Sequence, residues 1–419
     1  MEIKRDYYLN KLIELQGDGL IKVITGMRRC GKSYLLFTQF RKYLADHKVR
    51  RDHVFEMAFD DVENAKYRNP DVFYLYLKEK IKNDGKMFYI LLDEIQLLDR
   101  FVEVLNSLIR KPNVDVFVTG SNAHLLSKDV ITEFRGRGEE IHLNPLNFSE
   151  FMSVYKGSKF DGWTEYMMYG GLPPVVLKNS YERKAELLKS LLMETYLKDI
   201  IQRNKIRHQP EMEELLDVLA SNIGSLTNPL KLSDTFKGKK KVTVSAMTIR
   251  KYLEFFEDSF IIERVKRYDI KGRKYINAPY KYYFSDMGIR NIQLNFRQQE
   301  ETHIMENVLY NELVSRDYGV DVGTVVYSTK DKSGKIVRKQ LEVDFVCNKG
   351  SRRYYIQSAF ALPDEGKRKQ EEASLVRIND SFKKIIIVGN PVIPYYTNEG
   401  VLVMSIYDFL LDQNSLEKL

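Results

Sequence analysis

Residues Gly26 to Ser33 read GMRRCGKS, directly after the apolar, β-branched run Leu20 to Thr25 (LIKVIT) and directly before the helix-like stretch YLLFTQFRKYLADH. Strand, glycine loop and helix in this order constrain the fold more than any other feature, because the eight residues satisfy G-x-x-x-x-G-K-[ST] at every fixed position. Gly26 and Gly31 let the backbone curl, so that the N–H groups of Met27, Arg28, Arg29, Cys30 and their neighbours through Tyr34 face phosphate oxygens. Lys32 places a cation on the β- and γ-phosphates, and the Ser33 hydroxyl is a ligand for Mg²⁺. The N-terminus of the following helix adds its dipole. ATP and Mg²⁺ are therefore the expected ligands of a parallel α/β domain.

A hydrolytic nucleotide site also needs carboxylates, and Met87 to Glu94 (MFYILLDE) reads as a buried strand ending in two of them. Asp93 is expected to hold Mg²⁺ through water, and Glu94, one residue past the strand, to polarise the attacking water. The next strand, Val114 to Thr119, ends in Gly120-Ser121-Asn122. Ser121 and Asn122 are candidates to sense the γ-phosphate; the alternative reading is a helix N-cap. Arg135 and Arg137 precede a further strand, Glu139 to Leu143, where an arginine can serve a nucleotide held by a neighbouring copy of the chain. An ion pair with Glu133, Glu139 or Glu140 accounts for them equally well.

GMRRCGKS, LLDEIQ, VTGSNAHLL, RGRGEEIHLNPLNFSEF and YGGLPPVV follow one another in an order and spacing that resemble a large family of prokaryotic P-loop ATPases. That family is grouped with the AAA+ and origin-recognition-like signalling ATPases and carries a C-terminal domain resembling PD-(D/E)XK nucleases. The resemblance implies that Gly171 and Pro173, in the GGLP segment, approach the nucleotide. An ordinary turn between helices explains the same residues.

Between Glu182 and Ile206 apolar residues recur at helical spacing without Gly or Pro, which reads as a lid helix. Residues 209–285 read as a winged helix-turn-helix: helices at Glu211 to Ile223 and Leu230 to Phe236, a third starting at Ser245, then a strand–turn–strand wing with Gly272 at its tip. Ile249, Tyr252, Leu253 and Phe256 form the inner face of the third helix, leaving Thr248, Arg250 and Lys251 outside. Lys239, Lys240 and Lys241 precede that helix, and Lys271, Arg273 and Lys274 stand at the wing. DNA is the expected partner, with the helix in the major groove and the wing on phosphates. A module that contacts protein is the alternative.

The whole chain has 66 Lys+Arg against 58 Asp+Glu, a net charge of +8. Between Lys231 and Lys281 there are 14 Lys+Arg and 6 Asp+Glu, which is the whole excess. Codon usage would not confine it to one segment, so a polyanionic partner is favoured.

Beyond residue 290, a helix (Thr302 to Arg316), three strands, a charged helix and a buried strand (Lys384 to Val388) follow the order of a PD-(D/E)XK nuclease. Glu306 or Glu312 and Asp344 match its first acids, but the acid-x-Lys element reads Gln357-Ser358-Ala359. A neutral amide replaces a metal ligand and alanine replaces the lysine that orients water, so DNA cleavage is not expected unless Lys367 or Lys369 substitutes.

A chain of 419 residues provides for two to four domains. The expected fold class is α/β: a P-loop (AAA+-like) domain at 1–160, a helical lid at 161–208, a winged helix at 209–290 and a restriction-endonuclease-like domain at 291–419. No apolar run reaches the roughly 18 to 20 residues of a membrane span, and the start MEIKRDYYLNKL lacks a signal-peptide pattern. Two cysteines, Cys30 and Cys347, suit a reducing compartment, form no disulfide framework or zinc site, and neither is expected to be a nucleophile. The reading is a cytoplasmic, slow ATPase that couples nucleotide to DNA, with protein partners, ATP-regulated nuclease activity and assembly through Arg135 and Arg137 as alternatives or additions.

Overall fold

The computed structural model describes residues 2–82, 84–121, 136–240, 244–331 and 333–418, without the side chains of Lys239 and Lys240. Asn122, Arg135 and Lys241 therefore lie outside the described residues. The chain forms two compact units, Met1–Pro145 with Asp258–Phe260, and Leu146–Glu257 with Ile261–Leu419.

The first unit is built on strands β1 (Ile21–Thr25), β2 (Val54–Ala58), β3 (Phe88–Asp93), β4 (Val114–Thr119) and β5 (Gly138–His142). All pair in parallel, in the order β2-β3-β4-β1-β5. Strands covered on both faces must be apolar throughout, and every residue of β1 and β4 is buried. Lys22 obeys that rule through pairing: fully buried in β1, its Nζ lies 2.6 Å from Asp115 Oδ1 and 2.5 Å from Asp18 Oδ1. Val23, Ile90, Leu92, Val116 and Val118 pack with Phe55, Phe59 and Phe73 in one core. The topology brings the carboxyl ends of β1, β3 and β4 side by side, where open parallel sheets bind ligands.

The second unit contains an eight-stranded mixed sheet, built of β6 (Ile262–Asp269), β7 (Lys274–Phe284), β8 (Gly319–Lys330), β9 (Ile336–Lys349), β10 (Arg352–Ala359), β11 (Lys383–Val388), β12 (Tyr395–Tyr396) and β13 (Leu402–Ser405). Its order is β12-β13-β11-β10-β9-β8-β6-β7. This corrects the expected domain boundaries. The strands read as a free wing are the edge of this sheet, because β6 pairs in parallel with β8 from Arg267↔Val322 to Asp269↔Thr324. Residue 290 thus separates strands of a single sheet, and the compact units divide at Pro145 rather than at 160. Pro279, which has no N–H to donate, sits in the outermost strand β7, where that donor is dispensable.

The helices before β6 lie close to their expected positions, at Gln209–Ser221, Pro229–Thr235 and Ala246–Asp258. Asn228 caps the second by accepting from Lys231 N at 2.8 Å, and Ser245 caps the third by accepting from Thr248 N at 3.1 Å. Ile249, Tyr252, Leu253 and Phe256 are the buried face of the third. Residues 181–204 form a continuous helical run that ends where Lys205 turns left-handed at φ +50°. Among the described residues no helix is long and apolar enough to cross a membrane.

Candidate active site

Gly26 sits at φ +137° and Gly31 at φ +108°, backbone that L side chains rarely adopt. A Cβ on Gly26 would meet the Leu143 carbonyl oxygen at 2.2 Å, so the loop closes only with glycine there. The buried Lys32 ammonium donates to the carbonyls of Gly26 (2.9 Å) and Met27 (3.0 Å), which holds its charge inside the loop. Cys30 and Met27 are buried beneath the loop, while Arg29 and Tyr34 are exposed.

Ser33 Oγ donates to Asp93 Oδ2 at 2.7 Å across 60 residues of sequence. Thr119 Oγ1 donates to the other Asp93 oxygen and accepts from Glu94 N at 3.1 Å, so one threonine ties both acidic residues to the end of β4. Burial pushes the Asp93 carboxyl up, and the nearby Glu94 and Asp60 charges add to this; the Thr119 and Ser33 hydrogen bonds oppose it. Glu94 is left-handed at φ +52°, which turns its side chain out of the strand. Its Oε2 accepts from Ser121 Oγ at 2.9 Å and from the Gln96 amide, and Arg28 Nε lies 3.4 Å from Ser121 Oγ. Behind the loop, Thr25 Oγ1 donates to Glu140 Oε1 at 2.5 Å and lies 3.0 Å from His142 Nδ1.

A second cluster lies in the other unit. Lys281, 3% exposed on β7, places Nζ 2.7 Å from Glu306 Oε1 and 2.7 Å from Glu342 Oε1. Tyr283 OH donates to the same Glu306 oxygen at 2.6 Å, and His303 Nδ1 lies 3.8 Å from the other. Asp344 Oδ2 accepts from Ser358 N at 2.8 Å, and Gln357 Oε1 from Ser374 Oγ at 3.4 Å. Burial would raise the Glu306 carboxyl, but the Lys281 charge holds it down to about 2. Burial, with the Glu306 charge second, pushes Asp344 up to about 8. Of the two acids expected on the helix Glu301–Ser315, Glu306 belongs to this cluster, whereas Glu312 pairs with Arg316 Nε at 2.7 Å. Lys367 and Lys369 pair along their own helix with Glu371 (2.6 Å) and Glu365 (2.9 Å), so neither supplies the missing lysine. The cation at this cluster is Lys281. Its ammonium already pairs with both Glu306 and Glu342, so these residues do not fit a divalent metal as they stand.

The family described as an AAA domain matches residues 18–152, and one described as a domain of unknown function matches residues 161–300. The chain is similar to an uncharacterized protein of Haemophilus influenzae, 33% identical over 417 residues and 98% of each chain. It belongs to one family with that protein, and its residues 18–152 form an AAA domain. A protein of Methanocaldococcus jannaschii is 27% identical over 422 residues, covering 97% of this chain and 89% of that protein. Among solved structures, the Walker-type ATPase PABY2304 of Pyrococcus abyssi matches with a TM-score of 0.48 at 17% identity, over 70% of this chain and 96% of that one.

The sequence-predicted residues of the nucleotide site fall into two sets. Lys32, Ser33, Asp93, Glu94 and Ser121 form one connected network at the strand ends. Arg137 does not join it: its carbonyl accepts from Ile21 N at 2.7 Å at the amino end of β5, a strand's length from the loop. Gly171 and Pro173 belong to the second unit. There Gly171 N donates to Asp286 Oδ2 at 2.7 Å, a Cβ on Gly171 would meet the Leu146 carbonyl oxygen at 2.1 Å, and Pro173 opens the short helix Pro173–Val176. Thr119, Gln96 and Lys281 were missed by sequence reasoning. Thr119 could have been found as the last polar residue of VFVT and Gln96 as the amide of DEIQ. Lys281 is the first of the four buried residues that end β7, and only its place amid aromatic residues hinted at that.

Proposed function

We propose that this AAA-type ATPase hydrolyses Mg-ATP and that nucleotide state controls its hold on DNA. The observation that carries the hydrolytic part is the Ser33 Oγ to Asp93 Oδ2 pair at 2.7 Å, with Glu94 next in the chain. A hydroxyl and a buried carboxylate in contact fit the set that would hold Mg²⁺, which when bound would offset charge on the β- and γ-phosphate oxygens. Lys32 gives up the Gly26 and Met27 carbonyls for those oxygens. Glu94 orients the attacking water and accepts its proton. Glu94 is tied to Ser121 and Gln96, so it must exchange one of these partners for water before it acts, which favours slow turnover. Ser121 then remains beside the γ-phosphate as its sensor. The test is ATP binding and turnover. Lys32→Ala should lose ATP affinity, and Glu94→Gln should keep ATP bound without hydrolysing it; turnover equal to wild type in Glu94→Gln refutes the role given to Glu94.

For DNA, support comes from the exposed Arg250, Lys251, Lys271, Arg273 and Lys274, and from Thr248 near the start of the third helix. Lys281 is counted in the local charge excess but is buried and contributes nothing a partner could meet. Affinity should fall steeply with salt as neutralised phosphates release counterions. Nucleotide-dependent assembly without that salt dependence would favour a protein-binding switch, in which Arg135 and Arg137 serve a neighbouring copy. Cleavage is not part of the proposal, because Gln357 and Ala359 replace the acid and lysine that the reaction needs.

A further inference from the structure

Ile270 packs onto the face of the second sheet with Val325, Val343, Val346 and Tyr355. It can lie there because Gly323 beneath it has no side chain; a Cβ at that position would stand 2.9 Å from Ile270 Cδ1 and 2.8 Å from Val343 Cβ. The Ile270 N–H also donates to the Thr324 carbonyl at 3.0 Å, which anchors the start of the β6–β7 turn on β8. Together with the β9–β10 turn and the segment before β11, that turn lines a half-open cavity of about 630 Å³, within the range of about 300–1,000 Å³ usual for small-molecule sites.

The lining is chemically biased. Lys271 and Arg273 come from the first turn, Arg352 and Arg353 from the second, with the rings of Tyr268 and Phe382 beside them. Arg352 pairs with Glu417. Lys271 and Arg273 make no side-chain hydrogen bond or ion pair among the described residues, and both are exposed. Arg353 is held in place: its Nε donates to Asn348 Oδ1 at 2.8 Å, and its guanidinium lies 5.7 Å from the Tyr268 ring centre and 5.4 Å from that of Phe382. The carboxylate at the rim, Asp380, is already engaged, accepting from Tyr355 OH at 2.6 Å and Phe382 N at 3.2 Å. Two free cations, one arginine fixed by packing and a partly exposed aromatic ring suit a group that is anionic at one end and flat and apolar at the other. A nucleotide is such a group: arginine meets phosphate oxygens in a forked geometry, and any base can stack on an aromatic face.

We propose that this cavity binds a nucleotide unit of single-stranded nucleic acid, with Lys271, Arg273 and Arg353 on the phosphate and Phe382 under the base. The proposal rests on the reading of nucleic acid as the partner but moves the principal contact from the third helix to a site built by two turns of the sheet.

The experiment measures fluorescence anisotropy of a labelled oligothymidylate of about 12 nucleotides on the full chain at several salt concentrations. All proteins carry Lys32→Ala, so that the loop site does not contribute. Lys271→Ala/Arg273→Ala alters two exposed, unpartnered side chains and should weaken binding at least about tenfold, with the salt slope smaller by about 0.7, for the one phosphate that the two side chains share. Phe382→Leu should weaken binding about fivefold or more while leaving the salt slope unchanged. Wild-type affinity in both variants, alongside loss on Lys239/Lys240/Lys241→Ala, overturns the cavity and keeps the DNA reading. If no oligothymidylate binds, the cavity is overturned, and a labelled duplex measured in the same way decides the DNA reading.

Discussion

Lys281 offers the sharpest test of the electrostatics. Replacing it by Met keeps most of the side-chain volume and removes only the ammonium that lies 2.7 Å from both Glu306 and Glu342. Glu306, 8% exposed, would keep the Tyr283 hydroxyl as its direct partner. Breaking one side of a buried pair costs about 3–5 kcal/mol, because the remaining charge is neither hydrated nor neutralised. The carboxyl itself gives a similar figure: a fall from 4.5 to about 2 corresponds to ~3 kcal/mol at about 1.36 kcal/mol per pH decade. A group whose folded pKa is depressed stabilises the fold above its unfolded pKa. That stability is present above pH 4.5 and is lost as pH falls towards 2. Urea unfolding of the second unit should therefore show a loss of about 3–5 kcal/mol for Lys281→Met at pH 7 and a smaller loss near pH 4, where Glu306 can take up a proton. Lys281→Met/Glu306→Gln should recover more than half of the loss, since no unpaired charge remains at Glu306. A loss below about 1 kcal/mol, or single-variant losses that simply add, would refute the reasoning.

Thr119→Val should lower ATP turnover by about tenfold or more while nucleotide still binds, because it unties Asp93 and Glu94 together; equal turnover would show that these bonds are dispensable. Gly26→Ala should abolish ATP binding, measured by fluorescent-nucleotide titration, because the new methyl would collide with the Leu143 carbonyl oxygen at 2.2 Å. Asp344→Asn addresses pH dependence: an acid raised from 3.8 to about 8 is protonated on folding, so its contribution is greatest below pH 3.8 and is lost as pH rises towards 8. The asparagine variant should remove that decline in urea midpoints between pH 5 and pH 8 while keeping an oxygen for the Ser358 N–H. Gly171→Ala should cost about 1–3 kcal/mol by thermal or urea unfolding, because a Cβ there meets the Leu146 carbonyl oxygen at 2.1 Å.

The nucleotide loop was legible because everything it requires is contiguous. Gly26, Gly31, Lys32 and Ser33 adopt their geometry from local backbone freedom and the start of one helix, and Asp93-Glu94 follow from an apolar strand ending in acids. The third helix was legible for the same reason, as its burial follows a 3.6-residue period and its cap is a single serine. Local sequence does not dictate which side chains meet through strand order and register. Thr119 joins Asp93 because β3 and β4 are neighbours. Lys281 meets Glu306 and Glu342 because the supposed wing joins the sheet as its edge, which turns a basic segment partly inward. Arg352 and Arg353 line one cavity with Lys271 and Arg273 because the strand order brings the β6–β7 and β9–β10 turns together. By itself, then, the sequence determined the phosphate loop, the acids that follow it and the faces of the helices, since neighbouring residues dictate backbone shape. Which charges neutralise one another and which remain for a ligand was decided only by tertiary structure, because electrostatic partners are chosen by distance in space and sheet pairing sets that distance.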